Sequence, residues 1–480
     1  MNKQLILHIL GQILLIEAAF MVPSLCIALY LHEGDFLAFA ISIAILTLIS
    51  LFLISVKPQS KEMGQKDGFF VATFSWILLA LFGSLPFIIS GAIPNFVDAL
   101  FECMSGFTTT GSSVLTDIES LSKSILFWRS LTHWLGGMGV IVLTLALIPS
   151  LKVSGMKLFR AEVPGPSKNK ILPQVRQTSI TLYKVYVILT LIEIVALKIA
   201  GLKWFDSFIQ TFGSIATGGF SNKNASIAAF NNPTVEYIII FFMLVGGMNF
   251  ALHFYAMRGN FRPLWKDSET RLYLFIASAA TIIIALSLFN SLNYQLEVAV
   301  REAAFQVVSI FTATGFATAD YNKWPYFSQA IILLLMFIGG CSGSTAGGIK
   351  NIRYIILFKS VYRQIVKIIH PNAVVPVRVG KEVVADEVVG NVHIFFFLYI
   401  SILTFSTLVI ASMGFDLLSS ISAVAATMGN IGPGFGVVGP TGNFSSIPAL
   451  GKLVLTFCML LGRLEIYTVL VVIFNLRLRG

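Results

Sequence analysis

The stretch FVDALFECMSGFTTTGSSV, residues 96–114, decides how the chain folds. It begins as a short amphipathic helix and stops in three threonines and a glycine. About 12 residues of helix cover only ~18 Å, against an apolar bilayer core of ~30 Å. On either side lie apolar runs long enough to cross, 69–90 and 125–151. A half-length helix between two full spans must enter and leave on one face. Residues 96–114 therefore read as a re-entrant helix with a return loop.

The pattern recurs three times. WFDSFIQTFGSIATGGFSN (204–222) lies between 180–200 and 235–257. VAVREAAFQVVSIFTATGFATADYN (298–322) lies between 272–288 and a span starting at 327. DLLSSISAVAATMGNIGPGFG (416–436) lies between 392–413 and 449–474. The turns TTTGSS, IATGGF, TATGFA and GNIGPG align on Gly111, Gly218, Gly315 and Gly432. Their period of roughly 100 residues is too long for a solenoid unit and fits tandem duplication of one membrane module. Two more spans, 5–31 and 36–56, come first, joined by HEGD. The expectation is an all-α polytopic membrane protein. Four tandem helix–pore-loop–helix units surround a pseudo-fourfold pore, with two extra N-terminal transmembrane helices. The expected divisions are 1–57, 68–151, 176–258, 271–365 and 391–480.

Composition agrees. Of 480 residues, 56% are hydrophobic and 12% charged, where a soluble domain carries about 25% charged. The first apolar run is too long for a signal-peptide core and reads as a retained helix. Cys26, Cys103, Cys341 and Cys458 have no metal or disulfide spacing and read as small buried hydrophobes. The net charge is +10, concentrated in loops. Residues 152–176 hold six Lys/Arg against Glu162 alone, 350–381 hold seven and no acid, and 258–271 is also basic. The positive-inside bias puts these loops, and both termini, in the cytoplasm, with the half-spans on the outer face. Arg477 and Arg479 agree. Basic residues that flank spans argue against nucleic-acid binding.

Non-helical backbone at membrane depth is tolerated only inside protein or along a wet cavity. Glycine allows angles that bring successive carbonyls to one side. Four such loops around one axis make rings of oxygens that can replace a monovalent cation's hydration shell. A glycine turn can also serve close helix packing, but four copies behind four half-spans point to an ion filter.

These motifs resemble the Trk/Ktr/HKT superfamily of K⁺ transporters. The likeness covers about 69–474 through TTTG, ATGGFS, TATGFATADYN and GNIGPG. The extra N-terminal helices and the CSGSTAGG wording place it nearer the TrkH family than KtrB. By resemblance the filter residues are Thr109, Thr110 and Gly111; Ala216, Thr217 and Gly218; Ala313, Thr314 and Gly315; and Asn430, Ile431 and Gly432. The resemblance implies K⁺ as the transported ion, no organic cofactor, and an inner-membrane homodimer. It also implies a cytosolic TrkA-like ring of nucleotide-binding subunits. By the same resemblance, glycine in all four loops favours K⁺ over Na⁺. A Na⁺-coupled or Na⁺-permeable relative, or a non-transporting scaffold, is the alternative. Whether movement is channel-like or symport stays open. Nothing resembles a catalytic triad or dinucleotide fingerprint, so no enzyme is expected.

A second unusual stretch, GGCSGSTAGGIK (339–350), interrupts the last span of the third unit. Each glycine costs a helix about 1 kcal/mol relative to alanine. A P-loop needs Lys directly after Gly, whereas Ile349 separates Gly348 from Lys350. The stretch reads as an intramembrane gating loop, with Gly339, Gly340, Ser342, Gly343, Ser344, Thr345, Gly347 and Gly348 as its members. A static packing kink is the alternative. Arg463 sits mid-span, where an Arg costs roughly 2.5–3.5 kcal/mol and must face a cavity or partner. The resemblance projects it into the pore below the filter; a structural ion pair is the alternative. Glu465, two residues on, does not face it. Glu193 reads as a packed carboxylic acid ahead of a proton relay. His133 and Asn249 read as helix–helix hydrogen bonds, and Gly136-Gly137 and Gly246-Gly247 as packing points.

Overall fold

The apolar runs become helices because a helix pairs its own backbone groups where lipid offers no partner. The computed structural model describes residues 1–60, 62–139, 175–380 and 382–477. Among the described residues, six single helices are long and apolar enough to cross: Lys3–Tyr30, Phe36–Ser55, Lys66–Ile89, Gln177–Ile199, Ser268–Leu292 and Asp386–Ala411. The first two are the extra N-terminal pair, packed together and against the first unit. The other four are the leading spans of the four units. The HEGD link carries Glu33, whose carboxylate accepts from the Lys123 and Ser124 amides at 3.0 Å each. It thereby caps helix Lys123–Gly137 and lies at the end where that second span begins.

The four half-length helices are Phe96–Phe107, Trp204–Ile215, Leu296–Phe311 and Leu417–Met428. Asn95 caps the first through the Val97 and Asp98 amides, and Asp416 caps the last through the Ser419 amide.

The second spans differ from the uninterrupted helices expected at 235–257 and 449–474. Pro233–Gly246 and Phe250–Met257 meet at 107°, and Ala449–Leu464 and Ile466–Phe474 at 113°. The first break follows from Gly246-Gly247 and from Asn249, whose side chain accepts the Ala251 amide and starts a new helix. At the second, Glu465 takes φ 60° and ψ 148°, which no helix continues. In unit three, helix Tyr326–Leu335 gives way to the glycine-rich loop and resumes as Asn351–Ile369. In unit one the helix stops at Gly137; residues 140–151 and most of the basic stretch 152–176 lie outside the described residues.

The breaks sit at the feet of the pore helices. A Cβ on Gly136, Gly246 or Gly462 would lie 1.7, 3.0 or 2.2 Å from the carbonyl oxygen of Phe107, Ile215 or Met428, the last residues of three pore helices.

The basic stretch 350–381, read above as a loop, is largely helix Asn351–Ile369. A hairpin follows in which Arg378–Val379 pairs antiparallel with Glu382–Val383. Lys359, Arg363 and Lys367 recur every fourth residue, beside an exposed stripe of Phe358, Tyr362, Ile365 and Ile369. That 3.6-residue periodicity makes the segment helical.

Candidate ion pathway

Each pore helix ends in the same way. A non-glycine residue adopts the left-handed conformation: Thr109 (φ 54°), Thr217 (52°), Ala313 (56°) and Asn430 (51°). The next amide reaches back into the helix. Thr110 donates to Ser105 at 2.8 Å, Gly218 to Gly213 at 2.7 Å, Thr314 to Ser309 at 2.8 Å and Ile431 to Ala426 at 2.8 Å. This is a Schellman-type stop, usually built with glycine at the left-handed position. Thr and Ala there carry strain, which collects at functional sites. The following residue is a positive-φ glycine in each loop: Gly111 (83°), Gly219 (80°), Gly315 (83°) and Gly432 (106°).

The register in the second loop thus differs from the alignment on Gly218. The glycine equivalent to Gly111, Gly315 and Gly432 is Gly219, and Thr217, Gly218, Gly219 replace Ala216, Thr217, Gly218. Ala216 is the helix cap, in right-handed geometry. Two adjacent glycines in IATGGF left the choice to backbone angles that the sequence does not display.

The loops close into a ring in chain order. A Cβ on Gly111 would lie 2.2 Å from the Gly218 carbonyl oxygen, on Gly219 2.0 Å from that of Thr314, and on Gly315 1.9 Å from that of Ile431. On Gly432 it would lie 2.9 Å from the Thr110 oxygen, which closes the circle. The oxygen at each joint belongs to the equivalent residue of the next loop. Side chains tie the last joint: Asn430 Nδ2 donates to Thr110 Oγ1 at 2.9 Å, and Ser112 Oγ to the Gly432 oxygen at 3.0 Å.

The glycine-rich loop packs directly against this ring. Thr345 Oγ1 lies 3.1 Å from the Ile215 oxygen, 2.9 Å from that of Gly246 and 3.3 Å from Thr217 Oγ1. A Cβ on Gly347 would lie 2.3 Å from the Gly429 oxygen. The break in the second unit receives the loop. Cys341 and Thr345 amides donate to the Gly247 and Gly246 oxygens at 2.9 and 3.2 Å, and Phe250 N donates to the Gly343 oxygen at 3.0 Å. Gly246-Gly247 therefore do more than allow packing, and Asn249 starts a helix where a helix–helix bond was expected. At the neck, Ile338 bridges Ile349, and Asn351 Nδ2 donates to the Gly339 oxygen at 2.8 Å. Glu269 Oε1 accepts both the Ser342 amide (2.8 Å) and the Ile352 amide (2.9 Å).

Arg463 lies between the ring and the loop. Its guanidinium donates to Thr109 Oγ1 at 3.2 Å, to the Thr345 oxygen at 2.9 Å and to the Gly137 oxygen at 2.6 Å, and it also contacts the Gly136 oxygen. Those two carbonyls end the first unit's second-span helix, where the helix dipole favours a cation. Glu465 turns away and pairs with Arg353. Glu193 is buried and accepts from Ser214 on the second pore helix, as a packed acid does. His133 Nδ1 lies 2.7 Å from the Gly106 oxygen, a bond between helices as expected.

Sequence reasoning missed Glu269 and the buried pair Glu102–Arg129 (2.7 Å). Their partners are far away in sequence. With the register corrected, Glu102, Gln210 and Gln306 fall at one position relative to Gly111, Gly219 and Gly315, a signal that repeat alignment could have given.

The comparisons with known proteins agree with this architecture. The TrkH family model, described as cation transport protein, matches residues 35–476. The chain is 38% identical over 475 residues to the Trk system potassium uptake protein TrkH of Halomonas elongata, with 98% of each covered. It is 39% identical over 479 residues to the Escherichia coli protein of the same name, again at 98% coverage of both. The crystal structure of the potassium transporter TrkH from Vibrio parahaemolyticus superposes with a TM-score of 0.88 at 35% identity, covering 98% of both chains. Four pore-loop units closed into one ring, with this match over nearly the whole length, make the chain a member of the TrkH family of cation transport proteins.

Proposed function

We propose that this chain takes up K⁺ across the cytoplasmic membrane through a gated, K⁺-selective pore formed within one chain. The observation that carries the reading is the closed ring, in which Thr110, Gly218, Thr314 and Ile431 each bring a carbonyl oxygen against the preceding loop's glycine. Such oxygens can stand in for the water around a monovalent cation. Thr109, Thr110 and Gly111, Thr217, Gly218 and Gly219, Ala313, Thr314 and Gly315, and Asn430, Ile431 and Gly432 form the filter. The residues of 339–348 form the gate with Arg463. A positive charge beneath the carbonyls opposes a cation, and the loop fills the space beside it. The names of the relatives, Trk system potassium uptake proteins, support the choice of ion.

The same reading makes the chain one subunit of a homodimer, with both termini cytoplasmic and a TrkA-like nucleotide-binding ring docked below. Helix Asn351–Ile369 continues directly from the gating loop, so a partner that pulls on its basic face could move the gate. Anionic lipid headgroups are the other use of those charges. Unit boundaries at 68–151, 176–258, 271–365 and 391–480 follow from the repeat.

The test is growth. The chain is expressed in a bacterium stripped of its own K⁺ uptake systems, on medium where K⁺ limits growth. Rescue by K⁺ that excess Na⁺ does not suppress supports the reading. Failure to rescue, with the chain present in the membrane, favours the scaffold; rescue only with Na⁺ favours the Na⁺-coupled relative.

A further inference from the structure

The four loops are joined a second time, on the far side of the glycines from the gate. Two positions after each glycine stand Ser113, Ser221, Ala317 and Gly434. The carbonyl of each accepts a hydrogen bond from the preceding unit in the ring. Arg129 Nη1 donates to the Ser221 oxygen at 3.0 Å. Ile227 N donates to that of Ala317 at 3.1 Å. Tyr321 Oη donates to that of Gly434 at 2.7 Å. Phe444 N donates to that of Ser113 at 2.8 Å. All four donor residues are buried.

The first joint is the charged one. Arg129 is held by Glu102 at 2.7 Å and lies over the Phe220 ring, 3.5 Å from its centroid. Glu102 in turn accepts from Ser113 Oγ and the Val114 amide, each at 2.9 Å. One buried ion pair therefore grips the outgoing strands of both the first and second loops. Gln210 performs the uncharged version in unit two, donating to Ser221 Oγ at 3.0 Å and to Asn222 Oδ1 at 2.8 Å.

We propose that this outer hoop of four hydrogen bonds sets the bore of the carbonyl ring, which makes Arg129 and Tyr321 specificity-determining positioning residues. The proposal rests on the filter reading above. Oxygens that face one another across a ring repel, and a loop anchored only at its helix end can splay. Selection between K⁺ and Na⁺ depends on the number and field of the oxygens that meet the ion. Neither Arg129 nor Tyr321 reaches the ion; each fixes the strand that carries the oxygens.

Two variants test it in proteoliposomes. Tyr321→Phe deletes one hydroxyl and keeps the ring that fills the site. The double variant Glu102→Gln with Arg129→Met removes the charged joint without stranding a buried charge. Both are expected to lower the K⁺/Na⁺ permeability ratio at least threefold while K⁺ flux persists. A second readout needs no flux: the excess of K⁺ over Na⁺ in raising the melting temperature of the purified chain should shrink in both variants. An unchanged ratio and unchanged ion-specific melting shift would overturn the hoop. So would K⁺ and Na⁺ fluxes that fall in equal proportion, since a merely structural role predicts that. A parent chain that shows no K⁺ preference by either readout instead overturns the filter reading beneath it.

Discussion

Arg463 Nη1 lies 2.9 Å from the carbonyl oxygen of Thr345, so the lone arginine of the last span holds the glycine-rich loop of another unit. In the proposed gate, one side chain thus combines two barriers: its own charge, and the loop it keeps against the ring. The contact follows from the breaks in the second spans. They end helices at the pore-helix feet and leave carbonyls there for Arg463 and for the loop.

Arg463→Gln is expected to raise K⁺ flux at least tenfold. A unit charge about 4 Å from a cation opposes it by roughly 4 kcal/mol at an effective dielectric of about 20. Even partial relief of that barrier gives the stated change. Arg463→Lys, which keeps the charge but loses the planar fork, should fall between the two. Initial rates of ⁸⁶Rb⁺ uptake measure it.

Glu269 should act as the latch of the loop. Its one oxygen receives amides from both ends, Ser342 and Ile352. Glu269→Gln weakens two charge-assisted bonds, each worth about 1.5–3 kcal/mol. Faster K⁺ flux is expected in the chain with its full loop, and no further gain once 339–348 is shortened. Additive effects in the double variant would show that Glu269 acts elsewhere.

The corrected register of the second loop is testable. Gly219→Ala puts a methyl against the Thr314 backbone oxygen, which cannot yield, so selectivity should be lost outright. Gly218→Ala meets the His133 ring at 2.5 Å. Adding His133→Ala should restore part of the K⁺/Na⁺ ratio to Gly218→Ala and none to Gly219→Ala. Equal rescue of both would return the register to Gly218.

The ion pair Arg353–Glu465 joins the helix after the glycine-rich loop to the break in the last span, and both side chains are nearly buried. Glu465→Gln should cost about 3–5 kcal/mol by leaving Arg353 without its counter-charge. Arg353→Met with Glu465→Gln should recover most of that, since a buried pair adds little over apolar packing. Thermal unfolding in detergent decides it, and a loss that persists in the double variant would contradict the account.

Much of this was legible in the chain. The half-length helices, the fourfold repeat, the glycine-rich interruption and the isolated Arg463 all follow from span length and the cost of polar groups in lipid. The rest depended on geometry that no local pattern carries. The shift from Gly218 to Gly219 is a matter of which of two adjacent glycines takes positive φ. The breaks at Asn249 and Glu465 fall inside runs whose apolarity alone suggests unbroken helices. Glu269 and Glu102 bind amides and a guanidinium from other segments, which no local pattern displays. The helix at Asn351–Ile369 shows in the periodicity of its basic residues, not in their number.

The most direct measurement compares K⁺ and Na⁺ flux into proteoliposomes holding this chain alone with flux through a variant shortened across 339–348. The account predicts K⁺-selective flux in both, several times faster in the shortened chain. Equal passage of K⁺ and Na⁺, or no K⁺ flux even with the loop shortened, would contradict it.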